Sequence, residues 1–131
     1  MNIAVDTNVL LRVMLGDNKR QAAIVEKELR RATSVSISAS AFCELVWVMS
    51  QGYKISNSEI ASAISNLIAA KNVVVNFPAI AAGLQMLNSG GDFADGVIAF
   101  DGYQLGAEEF ISFDKKAVKL ALVHGKSARL L

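Results

Sequence analysis

The sequence predicts an α/β fold with a central, mainly parallel sheet. Residues 3–5 form a short apolar run that ends at Asp6 and leads directly into a helical pattern, as expected for a buried strand of a parallel sheet. Strand and helix signals then alternate along the chain, which is typical of α/β proteins. Residues 73–75 are all valine, the clearest strand signal. We expect one domain over residues 1–131, because the chain has a common domain length and no linker or repeat.

The first elements follow from apolar spacing and capping residues. A helix over residues 9–15 is followed by a second helix over residues 18–31, which Asn18 can cap. Residues 34–37 alternate polar and apolar side chains, as a strand does. Ser40 is expected to open a third helix that runs to about residue 49.

The middle of the chain has equally clear start and stop signals. Ser56 and Glu59 have the form of a capping box and predict a helix that begins there. A strand over residues 72–77 follows, and Pro78 suits the first turn of the next helix.

The last elements repeat this alternation. Asp92 is expected to open a helix that runs to about residue 105. Residues 110–113 form a further strand, Asp114 caps the last main helix, and residues 128–131 can add a short edge strand.

Four carboxylates lie at positions where a role as ordinary solvated surface charges does not readily account for them. Asp6 ends the first strand, and Asp114 follows a later strand in the same way. Glu44 lies in a helix that is apolar nearly all round, so we expect it to be buried. Asp95 lies in the first turn of an apolar helix. Asp114 could be only an N-cap and Asp95 only a favourable charge at a helix N-terminus, but the four together indicate a shared site.

Such a cluster needs protonation or a cation. Two carboxylates about 4 Å apart repel each other by roughly 4 kcal/mol at an effective dielectric constant near 20. Either some of them hold protons or a divalent cation neutralises them. Because the donors are oxygens and His124 is the only histidine, Mg²⁺ or Mn²⁺ is favoured over zinc. A carboxylate-bound Mg²⁺ is typical of phosphoryl chemistry.

Composition limits the partners. The net charge is +1, from 13 Lys and Arg against 12 Asp and Glu, so nucleic-acid binding would depend on where the charges lie. The hypothetical phosphate contacts are Arg12, Lys115, Lys116 and Lys119; a solvated helix face is the alternative. We expect Trp47 and Phe42 to be core residues, so no base-stacking surface is indicated.

Two observations bear on the compartment. The single Cys43 excludes an internal disulfide and suits a reducing cytoplasm, where we expect the protein to act. No apolar run approaches the roughly 18 to 20 residues that a membrane span needs, so no membrane association is expected.

Four sequence blocks resemble the motifs of the PIN-domain family and, more narrowly, of VapC-type toxins of bacterial toxin–antitoxin pairs. These are residues 5–11 (Val-Asp-Thr-Asn-Val-Leu-Leu), Glu44 in its apolar helix, residues 92–99 and residues 112–115. They occur in the family's order, and the resemblance extends essentially from end to end.

The resemblance implies a PIN-like (Rossmann-like) three-layer α/β/α fold and an endoribonuclease that depends on Mg²⁺ or Mn²⁺. The catalytic and metal-binding residues would be Asp6, Glu44, Asp95 and Asp114, and the supporting polar residues Asn8 and Ser112. Metal-activated water would hydrolyse RNA to leave a 5′-phosphate and a 3′-hydroxyl. The family also implies a homodimer that a small VapB-like antitoxin inhibits, in a toxin–antitoxin hetero-oligomer.

Two positions need separate comment. Position 96 is glycine where the family usually has alanine, which costs roughly 0.5–1 kcal/mol of helix propensity and could loosen the backbone beside Asp95. Asp92 is most simply an N-cap, but it could also reach the metal.

Two other functions fit the sequence less well. A phosphohydrolase with Asp6 as nucleophile typically needs a second Asp where this chain has Asn8. A non-catalytic PIN-like module that binds RNA or protein would be expected to have lost one or more acids, and all four are present.

Overall fold

The computed structural model describes residues 1–131. The chain divides into two compact units, Met1–Asn76 and Phe77–Leu131. The single domain expected from the sequence stays a prediction.

The first unit alternates parallel strands with helices. Its elements are β1 (Asn2–Ala4), α1 (Thr7–Leu15), α2 (Lys19–Arg31), β2 (Ser34–Ser36), α3 (Ala39–Trp47), a π-helical turn (Val48–Gly52), α4 (Asn57–Ile68) and β3 (Val73–Val74). The strands pair in parallel in the order β1-β2-β3, with Val35 opposite both Ile3 and Val73. Val35 is 1% exposed, so the middle of this sheet is a core position.

The second unit is mostly helical. Its elements are α5 (Phe77–Asn88), α6 (Phe93–Gln104), β4 (Phe110–Ser112), α7 (Lys115–Val123) and β5 (Ala128–Leu130). The strands β4 and β5 pair in parallel. Because every strand pair in both units is parallel, the predicted α/β class with a parallel sheet is confirmed.

Helices α5 and α6 pack closely at two glycines. A Cβ atom at Gly83 would lie 2.6 Å from the ring of Phe93, which is fully buried. A Cβ atom at Gly96 would lie 2.9 Å from the carbonyl carbon of Ala82 and 2.9 Å from Cγ of Met86. The glycine at position 96 therefore has a packing reason, because any larger side chain would meet the backbone of α5.

Several boundaries differ from those predicted. The cap of α3 is Ser38, whose Oγ accepts from the Ala41 N–H at 3.1 Å, and not Ser40. The strand predicted over residues 72–77 is only Val73–Val74, and Phe77 already begins α5. None of the helices combines the length and apolar character that crossing a bilayer requires.

Candidate active site

Asp6 lies where β1 ends and α1 begins, in the first unit. Its Oδ1 accepts from the Val9 N–H at 3.0 Å, so it is the N-cap of α1. A capping aspartate satisfies a backbone donor that the helix leaves without a partner. The side chain is exposed, and the structure contains no hydrogen bond to its Oδ2. Asn8, in the first turn of the same helix, is also exposed.

Glu44 is anchored by Thr7 in the same unit. Thr7 Oγ1 donates to Glu44 Oε2 at 2.7 Å and so connects the start of α1 to the middle of α3. The expectation that Glu44 is buried is wrong, because its side chain is exposed. The neighbours Phe42 and Leu45 fill the core side of α3 at 0% exposure, which leaves Glu44 on the open face.

Two more aspartates are helix caps in the second unit. Asp92 Oδ1 accepts from the Ala94 N–H at 3.0 Å and caps α6. Asp114 Oδ1 accepts from the N–H groups of Lys116 and Ala117 at 2.9 and 3.1 Å and caps α7. Ser112 Oγ accepts from the Asp114 N–H at 2.9 Å, so it fixes the turn that leads into the cap.

The carboxyl of Asp95 has a raised pKa. It is half-buried in the first turn of α6. Burial raises the pKa of its carboxyl, and the negative charges of Asp92 and Asp114 raise it further. Asp92 and Asp114 are therefore close enough to Asp95 for their charges to act on its carboxyl.

The anchored carboxylates share a pattern. Asp6, Asp92 and Asp114 each use Oδ1 for a cap, and Glu44 uses Oε2 for Thr7. Each keeps a second oxygen that could bind a cation, and carboxylate oxygen suits Mg²⁺ or Mn²⁺. The donor chemistry fits such an ion, although no three His, Cys, Asp and Glu side chains have the spacing of a metal site in this structure. A site shared by all four predicted acids stays a prediction.

The predicted phosphate contacts differ in whether a carboxylate of the protein already pairs with their positive charge. Arg12 Nη1 lies 3.4 Å from Asp17 Oδ1, and the Arg12 side chain is only 25% exposed. The lysines of α7 are exposed and form no ion pair within 4.0 Å; they are Lys115, Lys116 and Lys119. The α7 lysines are the stronger candidates for contact with a polyanion.

The surroundings of three further residues were not anticipated from the sequence. Thr7 is one, and its position between Asp6 and Asn8 was the signal that could have drawn attention to it. The expectation that Trp47 is a core residue is wrong, since it is 66% exposed, whereas Phe42 is fully buried as expected. Phe113, directly before Asp114, is 80% exposed.

The comparison with known families identifies the fold family of the chain. The family model of the PIN domain matches residues 3–122, which include all four predicted acids. The PIN domain is generally a nuclease fold. No curated protein matches the chain significantly. Because the family model covers most of its length, this chain belongs to the PIN-domain family.

Proposed function

We propose that this chain is an endoribonuclease that depends on Mg²⁺ or Mn²⁺ and acts as the VapC-type toxin of a toxin–antitoxin pair. The observation that carries the proposal is that the exposed carboxylates of Asp6, Glu44 and Asp114 are each anchored through one oxygen, in a member of a generally nucleolytic family. Asp95 adds to this, because burial and the charges of Asp92 and Asp114 raise its pKa. Carboxylates that repel one another favour a divalent cation as neutraliser.

The roles of the residues follow from how they are held. Asp6, Glu44, Asp95 and Asp114 would be the metal ligands. The caps and the bond from Thr7 fix the carboxylates of Asp6, Glu44 and Asp114 before any cation arrives, and such preorganisation favours binding. When bound, the cation would supply an activated water and neutralise charge on the phosphate, so that hydrolysis leaves a 5′-phosphate and a 3′-hydroxyl.

The substrate would be held through its phosphates. The exposed lysines of α7 follow directly after Asp114, so they would bring the RNA backbone to this carboxylate. Arg12 would contribute only when it releases Asp17.

The toxin role supplies the proposed partners, a second copy of the chain and a small VapB-like antitoxin. The support is the resemblance to VapC-type toxins together with large apolar side chains that solvent contacts in each unit. Trp47 of the first unit is 66% exposed, and Leu105 of the second is 90% exposed. Tryptophan in particular is enriched at protein–protein interfaces.

The decisive experiment is RNA cleavage by the purified chain with Mg²⁺, compared with Asp6→Asn and Asp95→Asn. Each substitution removes a proposed ligand charge and should lower the rate by roughly 100-fold or more. Asp101→Asn is the matched control, because Asp101 is an exposed residue of the same helix as Asp95. Full activity of both site variants would contradict the proposed site, and cleavage that EDTA does not reduce would contradict the metal.

The same assay distinguishes the proposed nuclease from the alternative, a non-catalytic PIN-like module that binds RNA or protein. Such a module would bind RNA without cutting it. For the toxin role, expression should arrest growth, and Asp6→Asn should abolish the arrest. Unimpaired growth on expression of an active nuclease would argue against a toxin.

A further inference from the structure

The Glu44 carboxylate depends on a single hydrogen bond for its position. Thr7 Oγ1 lies 2.7 Å from Glu44 Oε2. An ionised carboxylate only accepts hydrogen bonds, so the threonine must donate, and the short distance is typical of a hydroxyl bound to a charged acceptor. Glu44 is exposed and has no ion pair. Without Thr7, its side chain would rotate freely in solvent.

Thr7 is well suited to hold another side chain. It is β-branched, so few χ1 rotamers are open to it, and it lies in the first turn of α1, directly after the capping Asp6. Helices α1 and α3 pack against each other, and both carry fully or nearly fully buried leucines, Leu10 and Leu45. The donor and the acceptor therefore lie on elements that the core fixes relative to each other.

Two of the proposed metal ligands are thus held at the start of α1. The turn from β1 into α1 fixes Asp6 through the cap with Val9 and fixes Glu44 through Thr7. In each carboxylate one oxygen is engaged and the other is available to a cation.

We propose that Thr7 is a positioning residue for divalent-cation binding: its hydroxyl orients the Glu44 carboxylate and leaves Oε1 for the ion. This inference rests on the proposed function, because it requires Glu44 to be a ligand. Thr7 acts through Glu44 and touches neither substrate nor water in this role. Groups that orient metal ligands typically change metal affinity 10–100-fold when they are removed.

The test is Mn²⁺ binding to the full chain, measured by electron paramagnetic resonance without RNA. Thr7→Val keeps the shape and removes the donor, and we expect it to weaken Mn²⁺ binding at least about 10-fold. Thr7→Ser keeps the donor and should bind within a few-fold of the wild type. Thr33→Val is the matched control, because its exposed hydroxyl contacts only the N-terminal amino group. Thermal unfolding in EDTA checks that each variant is folded.

A second comparison makes the inference specific. In a Glu44→Gln background, Thr7→Val should weaken binding no further, because the residue through which it acts has lost its charge. Wild-type affinity of Thr7→Val, or an equal loss in both backgrounds, would overturn the positioning role. If either of these results were found and Glu44→Gln still weakened Mn²⁺ binding, only the positioning role would be lost and the proposed function would stand. Wild-type affinity of Glu44→Gln would instead overturn the role of Glu44 as a ligand and with it the positioning role.

Discussion

Asp95 differs from the other site carboxylates in being half-buried and surrounded by like charge. Its pKa is raised above the ordinary 3.8, first by burial and then by the charges of Asp92 and Asp114. The folded chain therefore holds this proton more tightly than the unfolded chain does. Stability that this group contributes is present at low pH and is lost as pH rises from 3.8 to the raised pKa.

We expect Asp95→Asn to stabilise the chain at neutral pH when no divalent cation is present. The substitution removes a charge that burial and two neighbours disfavour, and functional sites commonly have such a stability cost. The measurement is thermal unfolding in EDTA, from neutral pH down to about pH 4, with Asp101→Asn as control. The advantage of the variant should shrink as the pH falls, and a variant less stable than wild type at neutral pH would contradict this account.

The carboxylate of Asp114 caps α7 and is also a proposed metal ligand. Asn is as good an N-cap as Asp, whereas Ala caps poorly. Asp114→Ala should therefore lower the free energy of unfolding by about 1 kcal/mol more than Asp114→Asn does, while both remove the charge. Urea unfolding of the two variants tests this. Equal stability of the two would show that the bonds to Lys116 and Ala117 do not stabilise α7.

Helix capping was the part of the secondary structure that the sequence predicted best. Asn18, Ser56, Asp92 and Asp114 all cap the helices expected of them. Such bonds join neighbours in the chain, so local residue order is enough to predict them. The start of α3 was misplaced because Ser38 and Ser40 are equally good caps, and only the point where β2 ends decides between them.

The candidate site was less predictable where it depends on packing. The apolar pattern around Glu44 did not reveal which face of α3 is open, so Glu44 and Trp47 were expected inside and are exposed. The bond from Thr7 joins residues 37 positions apart, and no local pattern in one sequence indicates it. The strand β3 is shorter than predicted. Its length depends on pairing with β2 and not on β-branched composition alone.

The contact between α5 and α6 leads to a prediction about two glycines of one helix. Gly96→Ala gains roughly 0.5–1 kcal/mol of helix propensity, but the methyl group would overlap the Ala82 backbone. Overpacking typically costs about 1–3 kcal/mol, so we expect a net loss in the free energy of unfolding. Gly102→Ala is the matched control, since its nearest new contact is at 3.9 Å; it should be neutral or stabilising. Equal effects of the two in urea unfolding would contradict the close approach.

The chain as a whole should respond to the ion that its site is proposed to bind. A ligand that binds only the folded state stabilises it by about 2.7 kcal/mol at one hundred times its dissociation constant. Mg²⁺ should therefore raise the Tm of the wild type in a saturable way, and Asp6→Asn or Asp95→Asn should reduce the increase. Na⁺ at equal ionic strength is the control. A Tm that changes with neither Mg²⁺ nor Na⁺ would argue against a resident cation.

Family membership was the property of the whole chain that the sequence predicted most fully. The blocks around Asp6, Glu44, Asp95 and Asp114 led to the PIN-domain family, and the family model matches residues 3–122. The toxin role stays a proposal, because it is defined by partners. Any pattern in this chain that could indicate those partners is explained equally well by core packing.

The close contact at Gly96 also limits how this protein can change over generations. The resemblance to the family implies alanine at this position, and here its methyl group would meet the carbonyl group of Ala82. A lineage that gained alanine would need α5 to move away. A Cβ atom at position 83 would likewise require the ring of Phe93 to move. Placing alanine at position 96 would therefore lower stability unless the facing helix is redesigned with it.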